Sequence, residues 1–219
     1  MGLPALFKEN MLFGGNLEGN MDIERLKKQF GFILEIDKEK KIGRQTYLSD
    51  GTRKENDAEH AWHMAVMAIL LSEYANEKID VLRTVAMLLV HDLVEIDAGD
   101  TYAYDEEGNK TKEAREAKAA DRIYGILPED QGKKLRDLWE EFEENKTAEA
   151  RFAHAMDSVQ PMMLNAASNG KSWEEHGVRF AQAKKRNERA REGSEALWEY
   201  AYENFLLPGL EKGKLKKED

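Results

Sequence analysis

The chain has five histidines and no cysteine, so a tightly held transition metal would have to rest on imidazole and carboxylate donors. His91 is followed directly by Asp92 inside an apolar run, LLVHDLVE. A carboxylate in such surroundings loses much of its hydration, and its burial is costly unless a cation or a donor partners it. The neighbouring imidazole, in its neutral form, can ligate the same cation. Successive helical side chains diverge by about 100°, so the pair can converge on one ion at the edge of a buried face. A His-Asp pair that is only hydrogen-bonded core polarity is the bland alternative, and the dipeptide alone does not separate the two.

Context does more. His60 lies in AEHAWHMA on a preceding apolar segment and Asp157 in HAMDSVQ on a later one. Two imidazoles and two carboxylates make a mixed set that suits Mn, Fe, Co, Zn or Mg and leaves coordination positions for water or phosphate oxygens. His63 lies one turn from His60, and His154 one turn from Asp157, so spacing leaves either open as a swapped ligand. Glu95 follows His91 by four residues, one helical turn on, and Asp100 stands at the Gly99 break. Two such carboxylates beside a water are what hydrolysis needs: one activates the water, the other manages the leaving-group proton. Asp97 ranks below Asp100 for that role.

The elements that must position these residues read as helices. Ile23, Leu26, Phe30, Ile33 and Leu34 keep an amphipathic spacing after Asp22. Residues 38–56 read as a polar loop with a cationic cluster and an Asp50-Gly51 turn signal. Asp57 is the expected N-cap of the His60 helix and Asp80 that of VLRTVAMLLVHDLVEI. Charged helices follow from about Lys112 to Ile126 and, entered by Pro128, from Glu129 to Phe142. A long helix runs from Thr147 to about Asn165, and two more cover about 172–190 and 194–206. With no strand of note and no repeat, the fold class is all-α, a single-domain helical bundle over 21–210. It is flanked by an N-terminal extension or leader, 1–20, and a polar C-terminal tail, 211–219.

Bulk properties narrow the function. The 219 residues carry a net charge of -10, against a nonspecific grip on nucleic acid or an anionic membrane, which needs clustered Lys and Arg. No apolar run approaches the roughly 20 residues that span a bilayer. A cytoplasmic location is the default expectation. An anionic substrate must therefore meet a local cationic centre, and the 38–56 segment is where this acidic chain turns basic.

The ordered series of His60, HDLVEIDAGD from His91 to Asp100, and MDSVQ around Asp157 resembles the HD-domain phosphohydrolases, in particular their 5'-deoxynucleotidase-like branch. The resemblance runs from about residue 22 to 165. It implies a helical bundle, commonly a homodimer, acting on nucleoside 5'-monophosphates. It further implies one divalent metal ion on His60, His91, Asp92 and Asp157, with Glu95 and Asp100 handling the water and protons. Arg44 matches the family's phosphate-contacting arginine. In the bacterial relatives a tryptophan follows that arginine and helps recognise the sugar, whereas here Gln45 follows and Tyr47 is the nearest aromatic. Tyr47 is thus a substitute ring for the sugar or a loop anchor, and Arg53 and Lys54 are further phosphate contacts from the same segment. Two rival readings stand beside this one. In the first, the substrate is a phosphodiester, a triphosphate or a non-nucleotide phosphate; in the second, the chain is a helical binding protein with a structural metal.

Overall fold

The computed structural model describes residues 22–101 and 106–217, with only the backbone at 106, 107 and 109. The leader expected over 1–20 lies outside the described residues. Asp22 accepts a hydrogen bond from the Arg25 amide and starts α1 (Ile23–Ile36), as the sequence anticipates. A 3-10 turn, Asp37–Lys41, then leads into structure where a loop was expected. Strands β1 (Gly43–Tyr47) and β2 (Lys54–Asn56) form an antiparallel hairpin, Gly43 opposite Asn56 and Tyr47 opposite Lys54, with an irregularity between. The Asp50-Gly51 signal is the hairpin's turn: Gly51 has φ 69°, and Asp50 accepts from the Thr52 amide. The strands carry no apolar alternation, because β1 turns Arg44 and Thr46, not apolar side chains, toward the interior.

Helix α2 (Asp57–Leu71) is capped by Asn56 rather than by Asp57. Asn56 accepts from the Glu59 amide at 3.0 Å and Glu59 returns the bond to the Asn56 amide at 3.1 Å, a reciprocal capping box. Asp57, relieved of capping, is fully buried. Asp80 caps α3 (Val81–Val90) as expected, but that helix does not run on to Ile96. It stops at Val90, turns through His91–Val94, and resumes as α4 (Glu95–Ala98), which Gly99 ends at φ 75°. Helix α5 (Glu106–Tyr124) begins before Lys112, and α6 (Glu129–Glu144) follows Pro128. Thr147 caps α7 (Ala148–Ala167).

Beyond α7 the two expected helices are divided into α8 (Lys171–Glu175), α9 (Phe180–Asn187), α10 (Ala190–Gly193) and α11 (Glu195–Ala201). Gly177 at φ 60° separates α8 from α9, and the Ser194 side chain caps α11. A π turn, Tyr202–Leu206, joins α11 to α12 (Leu207–Glu211). The tail folds back as far as it is described. Lys216 bonds the Val178 and Phe180 backbone and Leu215 is buried, while Lys212, Gly213, Lys216 and Lys217 stay exposed.

Helix α7 is central. Thirteen of its twenty residues are buried, so it is enclosed on nearly all sides, against α2, α3, α6, α10 and α11. Two apolar clusters result. One joins α2, α3, α7 and the C-terminal helices through Met64, Met87, Phe152, Met156 and Trp198. The other joins α1, α5 and α6 through Phe32, Ile123, Leu138 and Trp139. Leu88 belongs to the first cluster and Val90 to the second, so His91 and Asp92 stand where the chain crosses between them. Among the described residues no helix is long and apolar enough to cross a membrane.

At Gly193, α10 lies against the backbone of α7. A Cβ on Gly193 would lie 2.1 Å from the Arg151 carbonyl oxygen and 2.7 Å from Phe152 Cα, both backbone atoms that cannot swing away. Gly193→Ala is expected to cost about 1–3 kcal/mol or more by forcing α10 off α7. Urea unfolding of the two proteins measures it, and an unchanged midpoint would contradict this packing.

Candidate metal centre

Two histidines are held with known tautomers. Gln160 on α7 is fully buried; its Nε2 donates to Glu55 Oε2 at 3.0 Å and to His63 Nδ1 at 3.2 Å. Its amide oxygen, 3.0 Å from His60 Nδ1, must then be the acceptor, so His60 carries its proton on Nδ1. His60 Nε2 therefore presents a lone pair, and it faces Asp157 Oδ1 at 3.3 Å. His91 Nδ1–H donates to the Leu88 carbonyl at 2.9 Å, which can only accept. His91 Nε2 has no hydrogen-bond partner, although Asp92 Oδ2 lies 3.0 Å away in a poorly aligned approach.

The His60 lone pair thus aims at a carboxylate oxygen and His91 Nε2 lies against another, and each close approach needs a proton or a cation between. Burial pushes His60 down to about 4, keeping it neutral. Burial also acts downward on His91, but the Asp92 charge outweighs it and holds that ring up at about 9. Asp157 and Asp92 are buried, which acts upward, yet His60 on one and His91 on the other hold them below the usual carboxylate range. His60, His91 and Asp157 each offer one ligand atom, all within 4.8 Å of one another. Ligands at about 2.0–2.2 Å from one ion are separated by roughly 3–4 Å, so this donor set fits a divalent cation.

Asp92 does not join that group of three. It falls in an adjoining one with Asp57 and Glu95, again with ligand atoms within 4.8 Å. Arg44 bridges this second group: its Nη1 lies 2.9 Å from Asp92 Oδ2 and 3.1 Å from Asp57 Oδ1. Burial, then the charges of Asp92 and Asp57, raises Glu95 well above its ordinary value. Asp57 is likewise pushed up to about 7, chiefly by burial and then by the charge of Asp92. Asp100 is raised by burial, with Arg44 opposing.

A cleft opens beside this centre. Arg44, Gln45, Asp100, Trp173 and Arg186 are among its lining residues. Of the residues singled out from sequence, Arg44, Glu95, Asp100, His60, His91, Asp92 and Asp157 are gathered into one region. Tyr47, Arg53 and Lys54 are turned elsewhere. Tyr47 donates to Glu175 on α8 at 3.1 Å beneath the Lys171 ammonium, Arg53 pairs with Glu59, and Lys54 bonds Gln45 and Glu175. Their partners hold the hairpin to α8 and α2. The rival histidines are also accounted for: His63 supports Gln160, and His154, stacked on Phe142, bonds the Phe142 carbonyl. Sequence reasoning missed Glu55, Asp57, Gln160 and Arg189. Only the buried stretch around Asp157 hinted at Gln160, and nothing in the sequence marked the others.

Residues 36–198 match the HD domain, about three quarters of the chain. The chain belongs to the HD-domain family. Among curated relatives it is 36% identical over 115 residues to human 5'-deoxynucleotidase HDDC2, covering 52% of this chain and 54% of that protein. It is 33% identical over 137 residues to the bovine protein of the same name, covering 62% and 65%. These matches span little more than half to two thirds of the relatives' length. A solved structure, described as a predicted metal-dependent phosphohydrolase from Magnetospirillum magnetotacticum MS-1, is 48% identical with a TM-score of 0.83. That superposition covers 87% of this chain and 95% of the other.

One buried acid near the centre has no cationic partner. Glu39, 8% exposed with Oε1 unbonded, is pushed up to about 7 by burial and then by the charge of Asp92. Because its folded value exceeds its ordinary 4.5, the fold binds the proton more tightly than the unfolded chain does. Its cost to stability is therefore absent below about pH 4.5, grows as pH rises toward 7, and is complete above that. Glu39→Gln is expected to stabilise at pH 8 by up to roughly 3 kcal/mol and to be neutral at pH 4. Thermal melts at the two pH values test this; an equal difference at both would refute it.

Proposed function

We propose that this protein is a metal-dependent phosphohydrolase that releases phosphate from nucleoside 5'-monophosphates, deoxyribonucleotides among them. The observation that carries the reading is the convergence of His60, His91 and Asp157, set beside the buried acids Asp57, Asp92 and Glu95 and a cleft lined by Arg44. The names carried by the human, bovine and Magnetospirillum proteins point the same way. A divalent ion held by His60, His91 and Asp157, with Asp92 adjoining, would supply Lewis-acid polarisation of phosphoryl oxygens and a more acidic water. The candidates are Mn, Co, Mg, Zn and Fe.

The protein's own groups divide the remaining work. Arg44, already charge-paired inside the cleft, would bind the phosphoryl oxygens and neutralise charge that builds on them. Glu95, held protonated by burial and neighbouring acids, is suited to deliver a proton to the departing nucleoside oxygen. Asp100, raised by burial with the Arg44 charge opposing, lines the cleft and is suited to orient the water. Gln45 lines the cleft where the bacterial relatives carry tryptophan, so an amide rather than a ring meets the sugar. Tyr47, tied to Glu175, does not replace it.

A phosphate-release screen tests this reading. The metal-stripped protein is assayed on ribo- and deoxyribonucleoside monophosphates, with Mn, Co, Mg, Zn and Fe restored singly. Orthophosphate release with at least one metal is expected, and Asp92→Ala should abolish it without unfolding the chain. Silence across the panel, or pyrophosphate or triphosphate release from longer substrates, would sink the monophosphatase reading. Loss of the fold in Asp92→Ala would favour a structural metal instead.

We further propose a homodimer, which the exposed apolar side chains on the packed α2–α3 pair support. Trp62, Val66, Ile69 and Leu70 keep an i, i+4, i+7, i+8 spacing on α2, with Leu82 and Leu89 exposed on α3. A self-complementary face of this kind suits a two-fold contact. Light scattering should give twice the chain mass for the wild type and a monomer for Ile69→Lys with Leu70→Lys. A monomeric wild type at micromolar concentration would remove the proposal.

A further inference from the structure

Arg189 stands between α9 and α10, 32 residues after Asp157, and no expectation attached to it. Its Nη2 donates to Asp157 Oδ2 at 2.7 Å, and its Nε reaches Ser158 Oγ at 3.4 Å. The shorter distance is that of a charge-assisted bond. Asp157 is buried and divides its two oxygens: Oδ2 to Arg189, Oδ1 to the lone pair of His60 at 3.3 Å. Turning the carboxylate to present both oxygens inward would break the bond to Arg189 and leave a guanidinium without its acid.

We infer that Arg189 is a positioning residue of the metal centre, fixing Asp157 as a ligand through Oδ1 alone. The inference rests on the reading of His60, His91 and Asp157 as metal ligands. A single oxygen from Asp157 keeps further coordination positions open, which a hydrolytic centre requires and a closed structural site does not. Arg44 bonds Asp92 differently, through Oδ2 at 2.9 Å, the same oxygen that lies against His91 Nε2. The position of Arg189 is itself set by packing. Gly193, four residues on, lets α10 lie directly on the Arg151–Phe152 backbone of α7, two turns or less from Asp157. The C-terminal layer therefore belongs to the centre, although it supplies no ligand.

The role is tested by titrating the metal-free full chain with Mn²⁺ alone in a calorimeter, which needs no substrate and no turnover. Loss of an outer partner of a metal ligand typically weakens binding about 10–100-fold, and Arg189→Ala is expected to fall in that range. Arg189→Lys, which keeps a cationic donor, should recover most of the loss. Arg191→Ala, which removes a surface arginine paired with Glu195, should bind as the wild type does. Thermal melts of the metal-free proteins check folding, and Arg189→Gln serves if Arg189→Ala does not fold.

Equal affinity in the wild type and Arg189→Ala overturns the assignment, as does an equal loss in Arg191→Ala. A wild type that binds Mn²⁺ while Arg189→Ala matches it defeats the role of Arg189 and leaves the centre standing. A wild type that takes up no Mn²⁺ defeats both.

Discussion

The arrangement depends on one electrostatic problem: more carboxylates than cations are gathered in a buried crossing between two apolar clusters. Asp57, Asp92, Glu95, Asp100 and Asp157 surround that crossing, and low-dielectric surroundings make each unpaired charge expensive. The protein answers in three ways. Arginines reach in from outside the central helices, Arg44 to Asp92 and Asp57, Arg189 to Asp157. Some acids are pushed toward their neutral form, Glu95 by burial and by the charges of Asp92 and Asp57. The third answer is a place suited to a cation, where His60 Nε2 and His91 Nε2 lie against carboxylate oxygens.

The supporting polar network explains why these nitrogens point where they do. A buried amide, Gln160, is oriented by Glu55 and His63 and in turn fixes the His60 proton. A backbone carbonyl fixes the His91 proton. Each is a case of an outer partner setting the direction of an inner donor. Such partners come from β2, α2, α3 and α7, so the centre forms only when all four elements are in place. That requirement ties the site to the packing around α7, where a glycine rather than any larger residue lets the C-terminal layer close.

The hairpin shows how a polar segment can be structurally decisive. Its inward positions hold Arg44 and Thr46 rather than aliphatic side chains, so it carries no hydrophobic alternation. Its place is set by ion pairs and amide contacts: Lys54 and Tyr47 with Glu175, Arg53 with Glu59. The three basic or aromatic residues that looked like substrate contacts are the ones anchoring it. Arg44, pointing the other way on the same strand, is the one delivered to the centre.

Sequence by itself determined the helical class, the cap at Asp80, the helix starts near Asp22 and Thr147, and the pairing of His91 with Asp92, Glu95 and Asp100, while His60 and Asp157 followed from the family resemblance. These are legible because helix periodicity, capping chemistry and the pairing of histidine with buried acid are local properties of neighbouring residues. Tertiary structure alone decided that His60 rather than His63 faces Asp157, since one helical turn separates them and only Gln160 and Glu55, distant in the chain, tell them apart. It also decided that α3 breaks at His91, that Asn56 frees Asp57 from capping, and that Arg189 reaches Asp157. Each of these rests on contacts between residues far apart in sequence, where charge compensation in a buried space, not local preference, sets the outcome.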